Sequence, residues 1–221
     1  MMRLYTCAGS RGLRCSWTIC ELGVEGEIEL VLLPFPPRAF DKSYFQINGL
    51  GTVPALVDGD ITMTESSAIC HYLTSRFPAP AQGPIALSPD EADYGRFLDW
   101  LHHADATLTF PQTVALRFCQ FEKDRGLEAA GEAYGDWFGK RLAKADARLQ
   151  QHEWLAGDRF TVADIAVGYA LYLSRMTRLD HHLTPTLRDY LARLTARPGF
   201  QRALAWEKAT GEAQGVANRL G

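Results

Sequence analysis

The chain has 221 residues, of which 47% are hydrophobic and 22% charged, the composition of a folded globular protein rather than a disordered or collagen-like one. Its 23 Lys and Arg against 26 Asp and Glu leave a net charge of -3, so no basic surface suited to nucleic acid or an anionic membrane is expected. Five scattered cysteines, Cys7, Cys15, Cys20, Cys70 and Cys119, form no C-x-x-C pair, which fits neither a disulfide framework nor a zinc site and points to a reducing, cytoplasmic setting. The N-terminal Met1-Met2-Arg3-Leu4-Tyr5 lacks a signal-peptide core. No stretch approaches the roughly 20 apolar residues that cross a bilayer, so neither export nor a membrane partner is expected.

Residues 2–79 alternate short strand-like runs with helical patterns, which predicts an α/β unit. Leu4-Tyr5-Thr6 reads as a strand end, broken by Gly9 through Gly12, and the helix over 14–22 stops at Gly23 in the C′ position. A second strand is expected over 28–33. Pro34, Pro36 and Pro37 then exclude regular structure before a short irregular helix over 40–47. The apolar runs 53–57 and 61–63 flank Asp58-Gly59-Asp60, a hairpin signal, and a helix over 65–77 closes the unit. The order βαβαββα contains at least one antiparallel pair, which excludes a simple doubly wound sheet. Residues 78–84 hold three prolines and a glycine, a semi-rigid linker composition. From there the pattern is helical: 89–118, opened by Ser88-Pro89 and Glu91 as a capping signal, then 127–151, 161–176, 184–195 and 198–208, with a polar tail expected to fray. The expected division is an α/β domain over 1–79, a linker over 80–88 and an all-helical domain over 89–221.

Two segments of the α/β unit have chemical potential. In Leu50-Gly51-Thr52-Val53-Pro54-Ala55-Leu56 a proline opens an apolar strand, which requires an edge, an ordinary strand start or a special peptide geometry. A cis Val53-Pro54 bond would turn the Val53 N–H and C=O outward, free to dock an extended peptide as an added strand. Thr64-Glu65-Ser66-Ser67-Ala68-Ile69 joins a strand to a helix. Its unpaired N–H groups and positive dipole end favour a ligand carboxylate, with Ser66 as a further donor and Glu65 as an acceptor for an ammonium; plain N-capping by Thr64 or Ser66 is the alternative.

Together these two segments closely resemble the glutathione transferases, in particular the bacterial theta- and beta-like cytosolic type. A third match is Phe160-Thr161-Val162-Ala163-Asp164-Ile165, in which Thr161 and Asp164 spell a capping box and Phe160 and Ile165 a hydrophobic staple. Arg197-Pro198-Gly199-Phe200 is similar to the family's C-terminal helices. The resemblance implies a thioredoxin-like N-terminal domain with a cis-proline and an all-helical C-terminal domain. It also implies glutathione as co-substrate, a small electrophile as second substrate, a homodimer and a detoxifying role. Carried over residue by residue, it implies glutathione binding by Arg11, Thr52, Val53, Pro54, Glu65 and Ser66. One departure stands out: the family usually has a lysine just before Val-Pro, where this chain has Thr52. Arg11, Arg38 and Lys42 are the candidates to replace it.

A glutathione transferase must convert a bound thiol into a thiolate, so a donor is needed between the first strand and the first helix, where Tyr5, Thr6, Cys7, Ser10 and the Arg11 side chain are the candidates. Ser10 precedes Arg14 by four residues, the spacing between activating serine and helix arginine in theta-like transferases, and is the expected catalytic residue, with Arg11 adding positive potential. Tyr5 is the rival for a Tyr-type site, and Cys7 for an enzyme that forms a mixed disulfide, as a glutathione-dependent disulfide reductase would; Cys7 also fits a small buried residue. Cys15-Ser16-Trp17 resembles part of the zeta-class motif but follows Arg14, so Cys15 and Trp17 are read as packing residues. His102 and His103, about 100° apart on a helix, make a poor chelate and no metal is expected. His103 and Phe110 are instead candidates for the electrophile pocket. A non-enzymatic binding module of the same fold is the remaining alternative.

Overall fold

In the computed structural model, which describes residues 1–216, strand β1 (Met2–Thr6) runs parallel to β2 (Ile28–Leu32) and antiparallel to β3 (Ala55–Asp58), which turns into β4 (Ile61–Met63); the sheet order is β2-β1-β3-β4. Met2, Leu4 and Thr6 of β1 and Ile28, Leu30 and Leu32 of β2 are buried, the period-two pattern of strands with one face on a core. Asp58 pairs with Ile61 across the hairpin, whose first loop residue, Gly59, has φ 57°, a conformation that costs glycine nothing.

Helix α1 (Leu13–Leu22) follows β1 and ends where Gly23 takes φ 72° and its N–H reaches the carbonyls of Cys20 and Ile19, an αL cap. A single turn, α2 (Pro37–Phe40), lies among the prolines, and α3 (Ser66–Arg76) follows the hairpin. Cys15 and Trp17 are buried on α1 and pack there, as the register of their motif predicts. The prolines of residues 78–84 carry the chain out of this unit without helix or strand.

The described chain forms two units, Met1–Pro84 with the segment from Ala196, and Ile85–Thr195. The terminal helix α10 (Pro198–Ala213) thus joins the sheet unit, whereas the sequence grouped it with the other helices. The Arg197-Pro198-Gly199-Phe200 motif explains the attachment. Arg197 forms a forked pair with Glu21 of α1, Nε to Oε1 at 2.8 Å and Nη2 to Oε2 at 2.9 Å, and a side chain at Gly199 would meet the Glu21 carboxyl at 2.4 Å. Phe200 packs edge-on against Trp17, ring centroids 4.9 Å apart. Beyond the helix, Gln214 accepts the Leu32 N–H at 2.8 Å and donates to the Leu30 carbonyl at 3.0 Å, which covers the open edge of β2. The helix runs past the expected end at 208, and the tail expected to fray falls partly on residues 217–221, outside the described residues.

The second unit contains α4 (Tyr94–His103), α5 (Phe110–Leu116), α6 (Glu128–Arg141), α7 (Ala143–Leu149), α8 (Val162–Met176) and α9 (Pro185–Thr195). Helix α8 is buried on almost every side. Its first turn carries the expected capping box: Thr161 Oγ1 accepts the Ala163 N–H at 3.3 Å and Asp164 Oδ2 the Thr161 N–H at 2.8 Å. Asp164 also accepts from the Leu155 N–H at 3.1 Å and the Tyr190 hydroxyl at 2.7 Å. The expected helix over 89–118 starts only at Tyr94, because Glu91 is taken by the forked Arg159, both contacts at 2.8 Å, and Asp93 by the Gly157 N–H at 2.9 Å. It also widens into π-helical turns at Ala104–Thr109 and Arg117–Phe121. The first of these precedes Pro111, which has no N–H to give and crowds the carbonyl four residues earlier; the Thr109 hydroxyl donates to the Ala104 carbonyl at 2.6 Å. No described helix is long and apolar enough to cross a membrane.

Candidate functional site

Chain connectivity brings the sequence-singled segments to one end of the sheet. Because Tyr5 pairs with Ala55 in the antiparallel register, the end of β1 lies beside the start of β3. Val53 packs against a cluster of Cys7, Leu33, Tyr44 and Ala55. The Val53-Pro54 bond is cis, Pro54 is buried and Val53 half-buried, and no hydrogen bond engages the Val53 backbone among the described residues. A strand-like ligand therefore finds an unpaired N–H and C=O there. Phe35-Pro36 is a second cis bond that the sequence did not single out.

Ser10 sits between β1 and α1, 8% exposed. Its Oγ accepts the Gly12 N–H at 3.2 Å and lies 3.1 Å from Thr6 Oγ1, while the Thr6 hydroxyl also reaches the Cys7 carbonyl at 3.3 Å. With the Thr6 proton on that carbonyl, the Ser10 proton points to Thr6. A ligand anion can draw it away, and Thr6 then supplies its own proton to the Ser10 oxygen. Gly12 allows this packing, since a Cβ there would meet Thr6 Oγ1 at 1.8 Å.

Ser66, the first residue of α3, is buried, and its Oγ accepts from Arg14 Nη1 at 2.9 Å. The hydroxyl oxygen is thereby filled by a cationic donor, which leaves its proton for a ligand at the helix N-terminus. Glu65 beside it is exposed. Thr52 is exposed too, and its carbonyl accepts from the Tyr44 hydroxyl at 2.7 Å and from Asn48 Nδ2 at 2.8 Å. Asn48 also reaches Thr52 Oγ1 at 3.1 Å, so Thr52 serves to shape the loop that leads into Val53. Of the candidates for the missing lysine, Lys42 donates to the Arg38 carbonyl at 2.7 Å. Arg38 is exposed, with its Cβ beside Gly51. Arg11 is half-buried in the Ser10 loop.

The rivals to Ser10 fare differently. Tyr5 is half-buried against the Cys7 cluster, its ring 5.8 Å from that of Tyr44. Cys7 is 1% exposed, and burial, with a lesser contribution from the Glu207 charge, pushes its thiol up to about 12. A nucleophilic cysteine needs the opposite environment.

In the second unit, His103 and Phe110 have different surroundings. The His103 ring lies edge-on to Trp100 at 5.2 Å, and burial first, then the Lys144 charge, lowers its pKa to about 4, so it is a neutral ring near pH 7. Phe110 is 52% exposed and begins an aromatic row through Tyr134, at 6.2 Å, to Trp137, a further 5.3 Å on. No group of three His, Cys, Asp or Glu side chains arranged for a metal occurs among the described residues.

The sequence placed Thr6 among the possible donors without a role behind Ser10, and it missed Asn48 and Glu207. Glu207 has the plainest sequence signal: it sits at helical spacing with Phe200, Ala203 and Gly211, in an otherwise small and apolar buried stripe. It is 2% exposed, and it accepts from the Ser16 hydroxyl at 2.6 Å and the Gly9 N–H at 3.1 Å.

The glutathione S-transferase N-terminal domain matches residues 10–76, and the glutathione S-transferase C-terminal domain residues 118–198. The chain belongs to the glutathione transferase family. Glutathione S-transferase 3 of Zea mays is 29% identical over 202 residues, covering 87% of this chain and 88% of its own. Glutathione S-transferase GST-4.5 of Xanthomonas campestris is 25% identical, covering 93% and 98%. Among solved structures, a glutathione transferase of Methylococcus capsulatus superposes with a TM-score of 0.80 at 25% identity, over 95% of this chain and 100% of that one. The thioredoxin-like sheet unit and the helical unit are the two halves of this transferase fold. Ser10, Val53-Pro54 and Ser66 lie within the N-terminal match and Asp164 and Arg197 within the C-terminal one, while Glu207 lies beyond both.

Proposed function

We propose that the protein is a glutathione transferase in which the Ser10 hydroxyl donates to the glutathione sulfur and holds it as the thiolate for attack on a small electrophile. The observation that supports this reading is the Ser10 hydroxyl itself. Its oxygen is anchored by the Gly12 N–H and backed by Thr6, at the same sheet end as Val53 and Ser66. On this reading the cysteinyl backbone of glutathione pairs with the Val53 N–H and C=O. The γ-glutamyl carboxylate takes the Ser66 proton and the start of α3, Glu65 takes the ammonium, and exposed Arg38 takes the glycyl carboxylate in place of the missing lysine. Arg11 adds positive potential near the sulfur.

Lowering a thiol pKa by two units takes about 2.7 kcal/mol, within reach of one charge-assisted hydrogen bond and a helix N-terminus. Ser10→Ala should therefore raise the pKa of bound glutathione by one to two units and lower kcat/KM roughly 10- to 100-fold near neutral pH. Thiolate absorbance of the bound ligand reads this directly, and an unchanged signal in the variant rejects the serine assignment. The buried, high-pKa thiol of Cys7 argues against a mixed-disulfide mechanism. Residues 1–79 are taken as the glutathione-binding domain and the helices after the linker over 80–88 as the source of the electrophile pocket, with Phe110 favoured over His103 by its exposure. The reading extends to a cytoplasmic homodimer with a detoxifying role, its assembly testable by light scattering.

A further inference from the structure

Glu207 is a carboxyl on the terminal helix, buried in the sheet unit with no cation paired to it among the described residues. Its two oxygens have separate partners: Oε1 takes the Ser16 hydroxyl of α1 at 2.6 Å, and Oε2 the Gly9 N–H at 3.1 Å. Gly9 is the residue before Ser10 and sits at φ 72°, in a turn where the Ser10 N–H returns to the Cys7 carbonyl at 3.0 Å. The same carboxyl therefore grips both the loop that carries Ser10 and the first turns of α1.

The groups facing Glu207 come from each element around it. Just beyond β1 stands the Cys7 thiol, α1 presents the neutral Ser16, and β2 presents Leu32. Lys208 and Glu212 of its own helix line a cavity of about 310 Å³ together with Glu207 and Cys7. Arg14, the buried cation of α1, is turned to Ser66.

We propose that Glu207 is a positioning residue for the reaction: as a carboxylate it holds the Gly9-Ser10 turn in the geometry that activates the thiol, and when protonated it holds that turn less tightly. This rests on reading Ser10 as the activating hydroxyl. Protonation converts the bond at Gly9 from charge-assisted to neutral, about half as strong. Ser16 has alternative acceptors in the Leu13 carbonyl at 3.3 Å and the Gly12 carbonyl at 3.5 Å, so it can turn and accept the new carboxyl proton. Burial, only partly offset by the two hydrogen bonds, raises the pKa of Glu207 to about 7, which places the change in the neutral range.

Glu207→Gln keeps the shape and one acceptor for Gly9 but has no charge to gain or lose, so it should behave at every pH like the protonated wild type. Two readouts test this. In the wild type the Gly9 amide resonance should titrate with a midpoint near about 7, and in Glu207→Gln that step should vanish. In Glu207→Gln the thiolate fraction of bound glutathione should be about fivefold lower where both forms are partly ionised, and its pH curve should lose the added steepness of a second titrating group. A Gly9 amide that does not titrate in the wild type, or a Glu207→Gln curve that overlays the wild type, overturns the proposal. Ser10→Ala separates the two readings. An intact thiolate there rejects the serine assignment and with it the catalytic part of this proposal, whereas a missing Gly9 step rejects the Glu207 grip alone.

Discussion

Ser10 depends on its neighbours for its orientation. Its hydroxyl is hydrogen-bonded to that of Thr6, its oxygen is held by the Gly12 N–H, and Gly12 is a glycine because a Cβ there would run into the Thr6 side chain. Gly12→Ala would force a methyl to within 1.8 Å of Thr6 Oγ1, and overpacking of this kind costs about 1 to 3 kcal/mol. The displaced Thr6 should also lose Ser10, so glutathione turnover is expected to fall at least about tenfold, beyond what the stability loss explains. Urea unfolding and kcat/KM measured on one preparation check both. At this scale the sequence pointed to Ser10 through its resemblance to theta-like transferases, and to Val53-Pro54 and Ser66 through local chemistry that the resemblance then sharpened. It named Thr6 only as one possible donor, not as the partner of Ser10, and it did not point to Asn48; both pairings are made in tight turns that no periodic pattern announces.

Among the elements, two helix starts rest on polar side chains that reach into other segments. Asp164 serves four donors from three segments, and burial raises its pKa against the pull of those bonds. Asp164→Ala strands the Leu155 and Thr161 N–H groups and the Tyr190 hydroxyl in a dry interior, and should cost about 4 kcal/mol or abolish folding of the helical unit. Thermal unfolding checks it, with Asp164→Asn expected to lose less. The start of α10 depends on Arg197. Arg197→Ala leaves the mostly buried Glu21 carboxylate with only the Trp17 indole N–H, at 2.9 Å, an expected loss of about 2 kcal/mol in denaturant titration. The capping box and the Asp58-Gly59 hairpin were legible because each is a local pattern with one structural solution. The late start of α4 was not. Ser88 and Glu91 do bond as a capping pair, Ser88 N–H to Glu91 Oε1 at 2.8 Å, but Arg159, 68 residues away, holds the Glu91 carboxylate and the helix begins only at Tyr94.

Over the whole molecule, Glu207 links stability to pH with the sign opposite to that of an ordinary paired acid. Below about 4.5 both folded and unfolded chains hold its proton. As pH rises to about 7 only the unfolded chain ionises, so folding loses about 3 kcal/mol that is not regained at higher pH. Glu207→Gln should therefore melt higher than the wild type at pH 8 and much closer to it at pH 5, as calorimetry at the two values would show, a gain in stability coupled to a loss of thiol control. His103 acts at the other end. Its lowered pKa means that stability falls as pH drops from about 6.5 towards about 4, where the unfolded chain binds a proton that the folded one refuses. Local patterns in the chain were sufficient for the βαβαββα unit and the helical remainder, because alternation, capping and turn chemistry act over a few residues, while the family and its cis-proline loop were reached through the resemblance of two segments. Only the tertiary structure decided that α10 belongs with the sheet, that Cys7 is buried with Tyr5 packed against its cluster, and that a glutamate 198 residues from Gly9 grips the turn beside Ser10. Burial and hydrogen-bond partners depend on which distant segments meet, and no local spacing encodes that.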